Sequence, residues 1–363
     1  MSRVLLVTMD YLPNYGGVAN YYSQIVKQLK PGVAVLTNIA GQDDKNNNEF
    51  HVNFIWKCVN PQWLPLLWLI PRYLKKSQAK IIWVGNILPV GTAAYILNKF
   101  FKIPYFISLH GLDIQLTKKN AKKRKLAFKI LNKANFITVN SKFTASLLVE
   151  YNIPASKIVV VYPSPSILSV PKSKIIENLQ AKYQLNNKKI ILTVSRLVKR
   201  KNIEQVISAV SQLMTSFSNL VYVVVGDGPE REVLEQKIGN LNNNILLIGS
   251  VDKEELSAWY NLCDIFVLTP TSDEVDVEGF GIVYLEALSL AKPVVASKVG
   301  GVEEAAGSGA KYVNNNNELV YTLKELLTNE SLRKQLGLAG QQHIQQFALN
   351  RQVNKILNAL GGL

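Results

Sequence analysis

Glu278 and Glu286 stand eight positions apart in EGFGIVYLEA (278–287), around a turn flanked by Gly279 and Gly281. A carboxylate accepts paired hydrogen bonds from neighbouring hydroxyls, and two carboxylates at this spacing suit a clamp on polyol groups such as a sugar and a ribose. The glycines leave backbone N–H groups uncovered, and Ile282, Val283, Leu285, Ala287 and Leu288 predict a helix beginning at this turn. A helix start offers unpaired N–H donors and partial positive charge to an anion. Glu278 is expected at its mouth and Glu286 about two turns deeper.

SRLVKRKN (195–202) supplies the cations: Arg196 ends an apolar run after Ser195, and Lys201 lies near the start of the stretch carrying Ile203, Val206 and Ile207. Two cations beside a helix start suit a diphosphate. With Lys199 and Arg200 alongside, a solvated basic turn fits the same letters. Gly16 and Gly17 in YGGVANYY (15–22) either let backbone approach a phosphate or simply make a turn. GDGPE (226–230) has the glycines of a nucleotide turn but lacks the acidic partner of a dinucleotide site, so it reads more safely as a tight turn. His110, in HGLD, is one of only three histidines and follows an apolar run, which favours a functional role over a purely structural one. The acidic run Asp273, Glu274, Asp276, Glu278 contains no DxD pair, and Arg196 with Lys201 can do a cation's work. No metal or other cofactor is therefore expected.

These residues need a scaffold that gathers them. Apolar runs of strand length recur with helical stretches between: RVLLVTM, GVAVLT, KIIWVG, IPYFISL and NFITVN, then KKIILTVS, LVYVVVG, NILLIG, DIFVLT and KPVVAS. Continuous Val/Ile/Leu runs predict strands buried on both faces, hence an α/β protein with parallel sheets. Nearly every polar candidate directly follows a strand, where open α/β sheets bind ligands. His110 follows IPYFISL, Ser195 and Arg196 follow KKIILTV, Gly226 follows LVYVVV, Gly249 follows NILLI, and Gly16 and Gly17 lie just past RVLLVTM. The proline- and serine-rich break after Tyr162 places a boundary near residue 168. We expect domains at 1–167 and 168–345, and a terminal segment, 346–363, able to pack back on the first domain. The helical stretch from about Asn329 to Leu360 is free to cross the junction. Cys58 and Cys263 have no metal spacing and read as reduced packing residues.

Taken together, YGG, HGLD, SRLVKRKN, GDGPE, the loop after Gly249, EGFGIVYLEA and GGVEE (300–304) resemble, in order and over nearly the whole chain, the retaining glycosyltransferases of family 4. The resemblance implies the GT-B fold, two facing Rossmann-like domains with an interdomain cleft. It implies Gly16 and Gly17 at the phosphates and transferred sugar, Arg196 and Lys201 at the diphosphate, the Val251 backbone at the base and Glu286 at the ribose. It implies Glu278 and the N–H groups of Gly279, Phe280 and Gly281 at sugar hydroxyls and phosphate, with Ser195 and Gly226 in the donor site and His110 beside the anomeric centre. Two departures stand out: Pro163, Ser164, Pro165 and Ser166 replace an Asn-Gly-Val-Asp turn at the junction, and Glu303 replaces a proline.

Net charge is +15, and all of it lies in the first half: residues 1–170 hold 21 Lys and Arg against 6 Asp and Glu, residues 171–363 hold 20 against 20. One domain is thus built to meet something anionic. Lys118, Lys119, Lys122, Lys123, Arg124 and Lys125 precede the amphipathic stretch of Leu126, Ala127, Phe128, Ile130 and Leu131, and Trp63 and Trp68 lie among leucines that look exposed, ahead of Lys75 and Lys76. Tryptophan beside Lys and Arg suits an anionic membrane surface, whereas a solvated helix face and an ordinary core helix explain the same residues. No nucleic-acid module accompanies the charge. The longest apolar run, Trp63 to Pro71, is short of the roughly 18 residues that span a bilayer. The expectation is a cytoplasmic enzyme, peripheral on the inner face of the membrane, that moves a hexose from a nucleoside-diphosphate sugar of GDP-mannose or UDP-glucose type to a lipid or lipid-linked acceptor in glycolipid or polysaccharide synthesis. Transfer to a soluble sugar or polysaccharide is the alternative within the class; a non-catalytic nucleotide-sugar or polyanion binding module is the alternative outside it.

Overall fold

The computed structural model describes residues 3–13, 16–38, 48–165, 171–241, 244–272 and 276–362. Two compact units emerge, Met1–Ser164 with Phe347–Leu363, and Pro165–Gln346. The first holds β1 (Arg3–Thr8), β2 (Val33–Thr37), β3 (Glu49–His51), β4 (Ala79–Val84), β5 (Tyr105–Leu109), β6 (Ile137–Val139) and β7 (Ile158–Val160), in the order β3-β2-β1-β4-β5-β6-β7. The second holds β8 (Lys189–Val194), β9 (Leu220–Val225), β10 (Ile245–Gly249), β11 (Ile265–Leu268), β12 (Val294–Ala296) and β13 (Ala310–Tyr312), in the order β10-β9-β8-β11-β12-β13. Every pairing in both sheets is parallel. Both units are Rossmann-like. The ten apolar runs all become strands; β3, β7 and β13, each of three residues, are additions that lie outside those runs.

Helices follow the apolar periodicity. In the first unit one face of the sheet is covered by helices Leu66–Ser77, Val90–Phe101 and Ala121–Lys133, through Leu66, Ile70, Leu74, Ala93, Leu97, Ile130 and Leu131. The other face packs Tyr21, Tyr22, Ile25 and Val26 of helix Gly17–Leu29 against Val353, Ile356 and Leu360 of helix Leu349–Gly361. Their three- and four-residue spacing is the stripe that commits the terminal helix to this unit. Ser164 Oγ donates to Phe347 O at 2.6 Å and Tyr162 N–H to Gln352 Oε1 at 3.0 Å, fixing where the chain re-enters. Helix Glu330–His343 stays in the second unit, so the return begins at Phe347 and not near Asn329. Ser166 and residue 168 lie outside the described residues.

In each sheet the chain winds outward from one central strand, then restarts on its other side, which puts switch points between β1 and β4 and between β8 and β11. At such points the loops after adjacent strands diverge and leave room for a ligand. Cys263 is buried, whereas Cys58 is exposed and does not pack as the sequence suggested.

Candidate active site

Lys201 Nζ and Arg200 Nη1 both donate to Oε2 of Glu278, a side chain in the second unit that is only 9% exposed as a residue; the arginine bond is 2.7 Å. Arg200 also sets its Nε 2.8 Å from Asp276 Oδ1. Burial alone would raise the Glu278 carboxyl, but the Lys201 ammonium and the Arg200 guanidinium outweigh it and hold the group down to about 2. The 3₁₀ turn Lys199–Lys201 brings these cations inward, and Asn202, at φ 56°, makes the left-handed step into helix Ile203–Met214. The basic stretch is therefore an ion network and not a solvated turn; Lys199 is the exposed member. Of the acidic run, Asp273 and Glu274 lie outside the described residues.

The EGFG segment is held by the second glycine pair. A Cβ on Gly300, whose φ is +58°, would overlap the Glu278 carbonyl, and one on Gly301 would overlap that of Gly279. Gly301 N–H donates to Glu278 O at 2.9 Å. Phe280 is buried as an anchor, while the N–H groups of Gly279 and Gly281 have no partner among the described residues. The helix runs Ile282–Ser289, so it opens four residues after Glu278 and holds Glu286 about one turn in, a shallower placement than expected. Tyr260 Oη donates to Glu286 Oε2 at 2.9 Å; burial and that carboxylate push the phenol well up. Glu303, in place of the proline, pairs with Lys298 at 3.1 Å on the surface.

Three strand ends are stitched together nearby. Ser195 N–H donates to Val225 O at 3.0 Å and Gly226 N–H to Gly249 O at 2.8 Å. Cβ atoms on Gly226 and Gly228 would collide with the carbonyls of Ser195 and Leu197, so GDGPE is glycine-rich because two turns lie back to back. Val251 follows Gly249, half-buried, just before Asp252 caps helix Lys253–Leu262 by accepting the Glu255 N–H at 2.8 Å. The side chain of Arg196 is exposed and has no hydrogen bond or ion pair among the described residues. Ser195 Oγ and Thr269 Oγ1, buried hydroxyls just past β8 and β11, likewise have no hydrogen-bond partner there. A buried polar atom without a partner costs free energy, and here two flank a switch point. Thr269 was not legible in sequence, because a threonine after an apolar run is an ordinary strand end.

In the first unit HGLD and YGGVANYY meet. His110 follows β5, and its ring stands edge-on to Tyr21 and Tyr22 at 5.0 and 5.3 Å. Tyr22 Oη donates to Gly85 O at 2.9 Å and so must accept from His110 Nε2, 3.0 Å away. This fixes the Nε2–H tautomer and leaves Nδ1 bare. Burial pulls the ring down to about 4. Asp113 accepts the N–H groups of His110, at 3.1 Å, and Ile114, at 2.9 Å; burial nonetheless raises its carboxyl to about 6. Gly16 precedes the first turn of helix Gly17–Leu29, and both glycines are exposed. Tyr15 lies outside the described residues.

The basic run opens helix Ala121–Lys133, whose cap Asn120 accepts the N–H groups of Lys122 and Lys123 at 3.0 and 3.2 Å. Glu150 takes Lys118 at 2.7 Å and Arg124 at 3.9 Å; Lys119, Lys122, Lys123 and Lys125 are exposed. Trp68 is 49% exposed, but Trp63 is half-buried against the core and Leu66 and Leu74 are buried, because that helix turns its apolar stripe to the sheet. Helix Val90–Phe101 touches both neighbours and ends in Phe100 and Phe101, 68% and 70% exposed, between Lys99 and Lys102. A short apolar doublet at a helix end had given no periodic signal.

Residues 15–164 match the family model described as Glycosyltransferase Family 4, and residues 175–343 the model described as Glycosyl transferases group 1. The chain is 25% identical over 318 residues to a GDP-mannose-dependent alpha-(1-6)-phosphatidylinositol monomannoside mannosyltransferase of Mycobacterium tuberculosis, covering 84% of this chain and 82% of that one. It is 23% identical over 364 residues to the alpha-monoglucosyldiacylglycerol synthase of Acholeplasma laidlawii, covering 91% and 89%. Among solved structures, Anabaena HepE in complex with UDP-glucose superimposes with a TM-score of 0.83 at 20% identity over the whole of both chains.

Proposed function

The chain belongs to glycosyltransferase family 4 and has the GT-B fold, and from that premise we propose that it transfers a hexose, with retention of configuration, from a GDP-mannose or UDP-glucose type donor to a lipid or lipid-linked acceptor at an anionic membrane surface. The observation that carries the donor half of this reading is the convergence of Lys201 and Arg200 on Glu278, with the exposed side chain of Arg196 just past β8. Glycosyl transfer builds positive charge on the sugar ring and negative charge on the departing diphosphate. Arg196 and Lys201 stabilise the latter without a metal. Glu278 and the unpartnered N–H groups of Gly279 and Gly281 hold sugar hydroxyls and phosphate, Glu286 the ribose and the Val251 backbone the base. Ser195, Gly226, Gly16 and Gly17 complete the contacts.

His110 orients the sugar and is not the general base: its Nε2 carries hydrogen toward Tyr22, and a ring titrating at about 4 is a weak base at neutral pH. The leaving phosphate oxygen takes the acceptor's proton as attack proceeds on the same face. The relatives named for lipid acceptors support the acceptor half, and so does the basic helix. Lys122, Lys123, Arg124 and Lys125 crowd its first turns, where the helix itself supplies no acidic residue and the helix dipole disfavours cations. A sequence serving the helix alone would place Asp or Glu there. Among the described residues no helix is long and apolar enough to cross a membrane, so the contact proposed is peripheral, at the inner face.

The deciding experiment incubates the protein with GDP-mannose or UDP-glucose and vesicles containing anionic lipid. The expected result is release of nucleoside diphosphate with a glycolipid product whose anomeric configuration, by NMR, matches the donor. An inverted product removes the same-face mechanism, and equal transfer to a soluble sugar with no vesicle product removes the lipid acceptor.

A further inference from the structure

We propose that Arg200 is a positioning residue for the transfer: it keeps the Glu278 carboxylate fixed when Lys201 turns from that carboxylate to the donor diphosphate. The proposal rests on the donor reading above, in which Lys201 meets phosphate and Glu278 meets the sugar. In the free protein both cations share one oxygen, Oε2, while Oε1 has no partner among the described residues. Two cations on one oxygen are more than a carboxylate needs, and the two differ in how far each is free to leave.

Lys201 reaches Glu278 with an ammonium on a flexible stem, a point charge with three rotatable donors. Arg200 is held twice, Nη1 hydrogen-bonded to Glu278 at 2.7 Å and Nε in an ion pair with Asp276 at 2.8 Å. Its backbone is held as well, since Arg200 O accepts the Thr271 N–H at 2.8 Å. An arriving diphosphate therefore draws off the lysine and leaves the arginine in place. Without Arg200, that exchange would strand a buried carboxylate beside incoming negative charge, a situation relieved by protonation or by the side chain swinging away. Before donor arrives the loss is covered by Lys201. The defect of an Arg200 variant thus belongs to the donor complex and not to the free protein.

The test compares Arg200→Ala, Arg200→Lys and Lys201→Ala by nucleoside-diphosphate release from GDP-mannose and UDP-glucose, with kcat, donor KM and the pH dependence of kcat read separately. For Arg200→Ala the expected fall in kcat is roughly ten- to a hundredfold, the worth of one charge-assisted hydrogen bond, with donor KM changed by less than about threefold. Its acid limb moves to higher pH, so that the deficit shrinks on raising the pH. Arg200→Lys keeps the charge, loses the fork and recovers part of kcat with an acid limb near that of the parent; it also serves should the alanine variant not fold. A parental kcat and acid limb in Arg200→Ala, while Lys201→Ala is crippled, overturns the proposal and spares the donor reading. A rise in KM alone makes Arg200 a direct donor contact, and a lowered melting temperature with an unmoved pH profile makes it structural; either overturns it. Full activity in Lys201→Ala overturns the donor reading and this proposal with it.

Discussion

The strand-end clusters of the two units solve opposite electrostatic problems. Around His110 the first unit holds no ion pair among the described residues: an uncharged imidazole pulled down to about 4, phenols pushed up by burial, and a carboxyl raised to about 6 that accepts backbone N–H groups, with aromatic edges around them. Around Glu278 the second unit is fully ionised, with Arg200, Lys201, Asp276 and Glu278 compensating one another. A cluster without an ion pair has no cation to give up to an anionic ligand, so it can present shape and a fixed tautomer. A compensated ion network is poised for exchange, because an anionic ligand offers one cation a new partner. Charge in the first unit is instead carried on the outer helix that Lys122 opens.

If that contrast is right, the largest effect comes from breaking the exchange. Lys201→Ala leaves Glu278 its arginine but removes the mobile cation, and kcat is expected to fall roughly a hundred- to a thousandfold. Steady-state kinetics on a variant with a native circular dichroism spectrum check this; a loss under about fivefold removes Lys201 from the mechanism. Next comes the outer helix. Replacing Lys122, Lys123 and Lys125 with Gln removes about 1 kcal/mol of lipid attraction per cation, so co-sedimentation with anionic vesicles should weaken by roughly a hundredfold. The same substitutions relieve a dipole penalty of about 0.3–1 kcal/mol per cation, so the melting temperature should rise, not fall. Weakened vesicle binding together with a lowered melting temperature would make those lysines structural.

Strand-end chemistry was legible in the sequence because a parallel strand advertises itself as an unbroken apolar run and its ligand-facing residue comes directly after. That logic found His110, Ser195 and Arg196, and the ten strands that lie in apolar runs, whereas Glu278 was legible through its spacing from Glu286 around a glycine-flanked turn. It does not reach residues whose role depends on what lies across a gap in the chain. Tyr22 fixes the His110 tautomer from 88 residues away, and Arg200 looked like one more surface cation until Glu278 and Asp276 stood beside it. The exposed face misled in the other direction, since Trp63 and its leucines resemble an interfacial segment until the sheet claims their apolar stripe. Composition gives the amount of apolar surface, and only packing decides which side it faces.

The smallest effect tests the His110 cluster by its pH dependence. Asp113 has a folded value of about 6, above the ordinary 3.8 of a free aspartate, so its contribution is present at low pH and is lost as pH rises through that window. His110 has a folded value of about 4, below the ordinary 6.5 of a free imidazole, so stability rises as pH rises through nearly the same window. The two slopes oppose one another, and local protection of the β5 amides should be almost flat from pH 6 to pH 4. Asp113→Asn leaves only the histidine and should make that protection climb with pH; His110→Gln leaves only the aspartate and should make it decline. Glu278 has no such counterweight: its stabilisation is present above the ordinary glutamate value of 4.5 and is lost as pH falls toward about 2. Hydrogen–deuterium exchange resolved by segment reads both units in one sample. The curves should part between pH 4.5 and pH 2, where only the Glu278 contribution changes, and parallel curves for β5 and for helix Ile282–Ser289 over that range would show that the contrast between the two clusters is not there.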